Sequence, residues 1–189
     1  MDKRLLKFFL LPAIMLVTTL ACTINIGGPV FPTPPIPVST EAVGELQSNI
    51  QTAVAAGSNT GEITLVFTEP ELTSYLFYYL QKQSHPLITS PQVYLQENEI
   101  RIYGTAIQGN FQANVKIVIS AGVDVQGQLS IELVSADFGP FPVPGGLKEM
   151  ITSIIKEAYT GSLGPVATGF RLESISIAAG TMVMTGNIK

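Results

Sequence analysis

The chain is poor in the residues that carry most protein chemistry. Of its 189 residues, one is cysteine, one is histidine and none is tryptophan. A disulfide needs two cysteines, and zinc sites are usually built from several Cys and His side chains, so neither is expected. Charged residues make up 13% of the chain, and the net charge is −4. Because nucleic-acid binding needs clustered Lys and Arg, nucleic acid is not expected as a partner.

Catalytic groups are equally scarce. The single imidazole, His85, lies next to a proline in a predicted loop, where a surface position is expected. Glu69 and Glu71 open a predicted helix, where carboxylates favour the helix dipole, and Glu97 and Glu99 flank a predicted turn. Since no nucleophile–base pair or phosphate-binding motif is recognisable, we expect neither enzyme activity nor a cofactor. A hydrolase with an unrecognised nucleophile is the least favoured alternative.

The first residues are typical of an export signal. Lys3, Arg4 and Lys7 precede an apolar stretch, residues 8–22, which is the layout of a secretory signal peptide. That stretch has 15 residues, fewer than the roughly 18 expected of a membrane-spanning helix. Its last four residues, Thr-Leu-Ala-Cys at 19–22, resemble the bacterial lipobox Leu-(Ala/Ser)-(Gly/Ala)-Cys, with Thr where Leu is usual.

The lipobox resemblance implies a location. Residues 1–21 would be removed, and Cys22 would carry a diacylglyceryl thioether and a further acyl group such as palmitate. Two or three acyl chains give lasting attachment, which a single chain does not. We therefore expect a protein of the cell envelope, outside the cytoplasmic membrane, with membrane lipid bound through Cys22. The alternative is an uncleaved signal anchor in which the cysteine is incidental.

The remaining chain divides into a tether and one domain. Residues 23–40 contain five prolines and two glycines, so residues 22–40 are predicted to be a lipidated cysteine and a semi-rigid spacer. A proline-rich ligand for another domain is the alternative. Regular hydrophobic periodicity begins at residue 41, and residues 41–189 are predicted to form a single domain.

The periodicity predicts an α+β fold. Apolar residues recur at helical spacing in three segments, residues 41–57, 69–83 and 147–158. Ser39 or Thr40 is the candidate cap of the first segment, and the second begins with the capping-box pattern of Thr68 and Glu71. Alternating apolar residues predict strands at residues 63–67, 93–95, 100–102, 111–119, 129–133, 175–177 and 182–184. Strands with one apolar face typically pair antiparallel, and the apolar face of their sheet must be buried against another layer, such as helices. We expect a curved antiparallel sheet of about six to seven strands, wrapped around or covered by two to three helices.

Two parts of the predicted domain resemble each other. The pattern Val-x-Leu…Ile-x-Ile-x-Gly at residues 93–104 matches Ile-x-Ile…Met-x-Met-x-Gly at residues 175–186, at a constant offset of 82 residues. Each hairpin follows an amphipathic helix. The match indicates either a duplicated helix-plus-hairpin unit or a chance likeness between two apolar hairpins.

The second predicted helix carries more aromatic surface than one core-facing stripe needs. Its core stripe comprises Leu72, Tyr75, Leu76, Tyr79 and Leu80. Phe77 and Tyr78 fall outside it, so they need a second apolar neighbour. That neighbour is either protein, with the first predicted helix favoured, or a lipid chain. In the lipid case, Phe77 and Tyr78 line a concavity with Phe67, Val115 and Ile117.

Residues 62–189 resemble the LmeA/YpmS type of cell-envelope proteins. These open with a strand and a Thr-x-x-x-Leu-type helix, matched at residues 68–76. A hairpin with the pattern of residues 91–104, a proline-containing loop like residues 139–144 and a final strand like residues 180–186 follow. The resemblance implies a curved sheet around a helix, an apolar tunnel similar to tubular lipid-binding domains, and a lipid or glycolipid ligand.

Together these observations predict a lipid-anchored extracytoplasmic protein that binds or handles an apolar or lipid ligand. The alternative is a non-enzymatic structural or interaction lipoprotein whose core is filled.

Overall fold

A computed structural model describes residues 23–163 and 170–188 and shows an α+β fold, as predicted. The elements of the described chain are, in order, β1 (Ile24–Asn25), α1 (Thr40–Thr60), β2 (Glu62–Thr68), α2 (Glu69–Gln81), β3 (Thr89–Gln96), β4 (Glu99–Gln108), β5 (Phe111–Val123), β6 (Leu129–Asp137), α3 (Leu147–Leu163), β7 (Phe170–Ala178) and β8 (Thr181–Ile188). None of these helices is both long and apolar enough to cross a membrane.

The strands form two sheets. In the first, β3, β4, β5 and β6 pair antiparallel in that order, and the short β1 runs parallel to the start of β5. This sheet curls into half a barrel. In the second, β2, β8 and β7 pair antiparallel in that order. The predicted antiparallel pairing is therefore present, but it is divided between two sheets.

The helix starts follow the predicted caps. The Ser39 hydroxyl accepts a hydrogen bond from the N–H of Ala42 and caps α1, and Thr68 and Glu71 form the capping box of α2. Gly57, the expected end of α1, lies inside the helix, where it allows close approach to Ile63. The helix ends instead at Gly61, which adopts the left-handed conformation.

Two polar side chains, of which Thr73 is buried and Glu69 is half-buried, fix α2 to the first sheet. The Thr73 hydroxyl, fully buried, accepts from the N–H of Val93 at 2.9 Å. One helical turn earlier, the Glu69 carboxylate accepts from the N–H of Leu95 at 2.8 Å. Because β3 donates these bonds from its edge, α2 closes the open side of the sheet.

The hairpins that match in sequence also match in structure. The β3–β4 hairpin follows α2, and the β7–β8 hairpin follows α3. Residues 97–98 form one turn and residues 179–180 the other, 82 residues apart, and all four residues have positive φ. Positive φ at both central positions is typical of type I′ turns.

The two turns meet through a reciprocal pair of hydrogen bonds. The N–H of Asn98 donates to the carbonyl of Ile177 at 3.1 Å, and the N–H of Gly180 donates to the carbonyl of Leu95 at 3.0 Å. Asn98 and Gly180 are equivalent under the sequence match, and so are Leu95 and Ile177. A two-fold axis produces reciprocal contacts of this kind, in which residue i of one copy meets residue j of the other copy and residue j of the first meets residue i of the second. The domain therefore has an internal pseudo-two-fold axis between the turns.

Each half of the pseudo-symmetric domain contributes one strand to the other half. β2, which leads into α2, pairs with β8, whereas β5, which leads through β6 into α3, pairs with β4. The repeated unit is thus a strand, a helix and a hairpin, with β6 as an insertion in the second copy. The structure supports the duplication alternative over a chance likeness.

Residues 23–39, here called the strap, lie along the first sheet. The N–H of Asn114 in β5 donates to the carbonyl of Gly27 at 2.8 Å. The ring of Phe31 packs edge-on against Tyr103 of β4, with 5.8 Å between ring centroids. The segment expected to be a spacer therefore contacts the rest of the fold at several points between Ile24 and Ser39.

Candidate functional site

The space between the helices and the two sheets is incompletely filled. It contains a cavity of about 180 Å³ that is partly open to solvent. Its walls are formed by Leu46, Ile50, Leu65, Phe67, Leu72, Tyr75, Leu76, Leu80, Leu87, Ile88, Val93, Ile100, Ile102, Ile117, Ile119, Ala121, Leu129, Ile131, Ile151, Ile154, Ile155, Met182 and Met184. For scale, an engineered apolar cavity of about 150 Å³ binds benzene. This cavity can hold a ring or a segment of an alkyl chain.

Strand and helix periodicity place the wall residues. Successive side chains of a strand point to opposite faces, so Ile117, Ile119 and Ala121 of β5 all reach the cavity. On α2, Leu72 and Leu76 lie one turn apart and face the same way. The walls are almost wholly apolar because they are the core-facing stripes of these elements.

The cavity lies on the pseudo-two-fold axis. Residues 82 apart occur on its walls as equivalent pairs, namely Leu72 with Ile154, Ile100 with Met182 and Ile102 with Met184. The strands exchanged between the halves, β2 and β5, also both contribute. Because both repeats supply its walls, the cavity is a property of the whole domain.

One tyrosine of the cavity wall contacts a second tyrosine, which is hydrogen-bonded to a carboxylate. Tyr75 lines the cavity and stacks on Tyr79, with 6.3 Å between ring centroids. The Tyr79 hydroxyl donates to Glu157 at 2.9 Å and so joins α2 to α3. Burial, and then the charge of Glu157, raises the pKa of Tyr75, while the hydrogen bond to Glu157, followed by burial, raises the pKa of Tyr79. Both hydroxyls therefore stay neutral at physiological pH.

The five residues predicted to bind a ligand are placed differently from one another. Phe67 and Ile117 line the cavity. Val115 is fully buried on the same face of β5 but outside the walls. Phe77 and Tyr78 are half-buried outside the walls and contact each other edge-on, with 5.4 Å between ring centroids. Ligand contact by any of the five stays a prediction.

Helix geometry explains where the two aromatic residues lie. Each residue advances about 100° around a helix, so Phe77 and Tyr78 are rotated away from Leu76, which faces the cavity. In the described chain, neither is among the side chains packed against the core. The structure therefore does not bring their aromatic surface to the cavity wall that Phe67 and Ile117 form.

Replacing Phe77 with alanine is expected to change the free energy of unfolding by less than about 1.5 kcal/mol, against about 3–5 kcal/mol for a fully buried phenylalanine. The reason is that Phe77 lies outside the core cluster. Phe170→Ala, at a residue that is 3% exposed, provides the buried control. Urea unfolding of the wild type and the two variants measures both values, and equal losses in the two variants would contradict the placement of Phe77.

Fold and cavity together define an α+β protein with an apolar cavity on an internal pseudo-two-fold axis. In residues 23–163 and 170–188, no cluster of three or more metal-ligating side chains occurs. A comparison with protein-family models finds no match, and a comparison with curated proteins finds none that is significant. Membership of the LmeA/YpmS family stays a prediction.

Proposed function

We propose that the protein is a lipid-anchored, extracytoplasmic protein of the cell envelope that binds an apolar ligand, such as a lipid acyl chain, in its central cavity. The observation that carries this proposal is the cavity of about 180 Å³ with almost wholly apolar walls. Because the cavity is partly open, an acyl chain can enter it while a polar headgroup stays in solvent. The proposal includes no catalytic step.

The energetic cost of an unfilled core favours ligand binding over a purely structural role. Protein interiors are close-packed and contain few voids larger than a water molecule. At about 24 cal/mol per Å³ of cavity, a volume of 180 Å³ sets an upper limit on the order of 4 kcal/mol, because this cavity is partly open to solvent. That is a large fraction of the roughly 5–15 kcal/mol that stabilises a typical domain. A ligand that fills the space recovers part of this cost.

Two measurements on the full chain test ligand binding. Native mass spectrometry after gentle extraction is expected to show co-purified lipid. After lipid removal, cis-parinaric acid, a fatty acid that fluoresces in apolar sites, is expected to bind with a rise in emission. A ligand-free mass together with unchanged emission would instead support a structural or interaction lipoprotein.

The anchor rests on Cys22, which lies outside the described residues. Cys22→Ser is expected to abolish acylation and processing, because serine has no thiol to carry the diacylglyceryl thioether. Membrane fractionation and intact mass measure the loss. The matched control is Thr19→Leu, which restores the usual lipobox residue and should be processed at least as well. An unchanged mature mass and unchanged membrane retention in Cys22→Ser would contradict the anchor.

A further inference from the structure

The strap brings the start of the described chain to one end of the first sheet. Ile24 pairs with Phe111, the first residue of β5, and its N–H donates to the carbonyl of Asn110 in the β4–β5 turn at 2.8 Å. Cys22 is two residues before Ile24. At no more than about 3.6 Å per residue, Cys22 stays within about 7 Å of Ile24. A membrane to which Cys22 is attached would therefore lie close to this end of the sheet.

This end of the sheet exposes large apolar side chains. Ile24 is 54% exposed, Ile107 is 54% exposed and Phe111 is 47% exposed. Ile24 and Phe111 are paired and share one face, whereas Ile107 pairs with Gln112 and points to the other. We call these three residues the apolar tip. Its apolar groups lie on both faces of the sheet, so they cannot be covered by one neighbouring element.

The chain around the apolar tip lacks charge. Residues 23–40 and residues 102–115 contain no Asp, Glu, Lys, Arg or His, although charged residues make up 13% of the whole chain. Moving an ionised side chain out of water is costly unless it is paired. A charge-free, apolar end can enter a membrane interface without that cost.

We propose that the apolar tip is a membrane-contact surface that inserts into the bilayer holding the N-terminus. A bilayer is the partner that fits this surface, because the apolar stretch at residues 8–22 ends two residues before Ile24. This holds whether Cys22 is acylated or the stretch remains as an uncleaved anchor. This inference rests on the membrane attachment in the proposed function, and it adds the orientation of the first sheet relative to the bilayer. β5 points its first residue, Phe111, at the bilayer and its last, Val123, away from it.

Tryptophan reporters test this orientation, because the chain has no tryptophan of its own. Phe111→Trp places the reporter in the tip. Val125→Trp is the matched control, since Val125 is 88% exposed just beyond the far end of β5. The 13 residues of β5 span roughly 40 Å. Each full-chain variant is bound to vesicles of phosphatidylcholine and phosphatidylglycerol, with and without phosphatidylcholine brominated in its acyl chains.

Bromine is expected to quench the emission of the Phe111→Trp variant about twofold or more, because an interfacial side chain reaches the acyl boundary. The emission of the Val125→Trp variant should be unchanged. Ile107→Trp provides a second tip reporter if Phe111→Trp does not fold. A chain that floats with the vesicles while its tip reporters stay unquenched would overturn this inference and leave the anchor standing. A chain that does not float would overturn both, and binding of cis-parinaric acid reports on the cavity independently of either.

Discussion

Replacing Gly186 with alanine is expected to lower the free energy of unfolding by about 3 kcal/mol. A Cβ atom at this position would collide with the carbonyl oxygen of Arg171 and lie 2.7 Å from the ring of Phe170. The carbonyl belongs to the backbone of β7 and cannot rotate away. The substitution must therefore push the two paired strands apart.

The pseudo-two-fold axis makes a second, smaller effect predictable. Gly104 is the equivalent of Gly186, and a Cβ atom there would lie 2.7 Å from Ile88 Cδ1 and 3.1 Å from the carbonyl of Thr89. Ile88 and Thr89 are in turn the equivalents of Phe170 and Arg171. Because the nearest atom ends a flexible side chain, we expect Gly104→Ala to cost about 1–2 kcal/mol.

Gly122→Ala in β5 is the control for both substitutions. No atom lies within 4 Å of the added Cβ atom, and alanine is favoured over glycine in a strand by about 0.5–1 kcal/mol. Urea unfolding of the three variants and the wild type measures the differences. If Gly186→Ala were as stable as Gly122→Ala, the result would contradict the close approach of β7 and β8 at Gly186.

The same glycines show what the repeat requires. In each hairpin the ladder shifts register opposite the glycine, between Thr89 and Gln92 in one copy and between Leu172 and Ser174 in the other. A bulge strengthens the local twist of a strand. The glycine then lets the twisted partner strand approach closely. Equivalent bulges at equivalent glycines are harder to explain by chance than the matched apolar residues alone.

Sequence patterns predicted the class of fold because each element shows its own period. The alternation from Phe111 to Ile119 and the caps at Ser39 and Thr68 determine local structure, and the structure has them where expected. The division into two sheets could not be predicted in this way. Alternation shows which face of β2 is apolar, but it does not show that β2 pairs with β8, more than a hundred residues away.

The site was only partly predictable for a related reason. Apolar periodicity identifies side chains that leave water, and Phe67 and Ile117 were found by it. Periodicity does not distinguish a side chain that lines a cavity from one in a filled core, so it did not identify Ala121 as a wall residue. The strap was missed because its proline-rich composition predicts no regular structure. Its contacts depend on Asn114, which lies far along the chain.

Filling the cavity from within is expected to weaken apolar ligand binding by about tenfold or more, which corresponds to about 1.4 kcal/mol. Ala121 is the position of choice, because it lines the cavity on β5 and has a small, half-buried side chain. Ala121→Phe adds a ring about the size of benzene, which is a ligand that an apolar cavity of about 150 Å³ binds. The space available here is about 180 Å³, so little is left for an alkyl chain.

The stability of the Ala121→Phe variant separates blocking from misfolding. A ring that fills a void adds packing contacts, so the free energy of unfolding should be unchanged or higher. Val134→Phe is the control, since Val134 is 52% exposed on β6 and lies outside the cavity walls. It adds the same ring without filling the cavity, and its binding should equal that of the wild type. Fluorescence titration of each delipidated protein with cis-parinaric acid gives the affinities. If Ala121→Phe folds and binds the probe as tightly as Val134→Phe does, the ligand occupies another part of the molecule, because the ring and an alkyl chain cannot share this cavity.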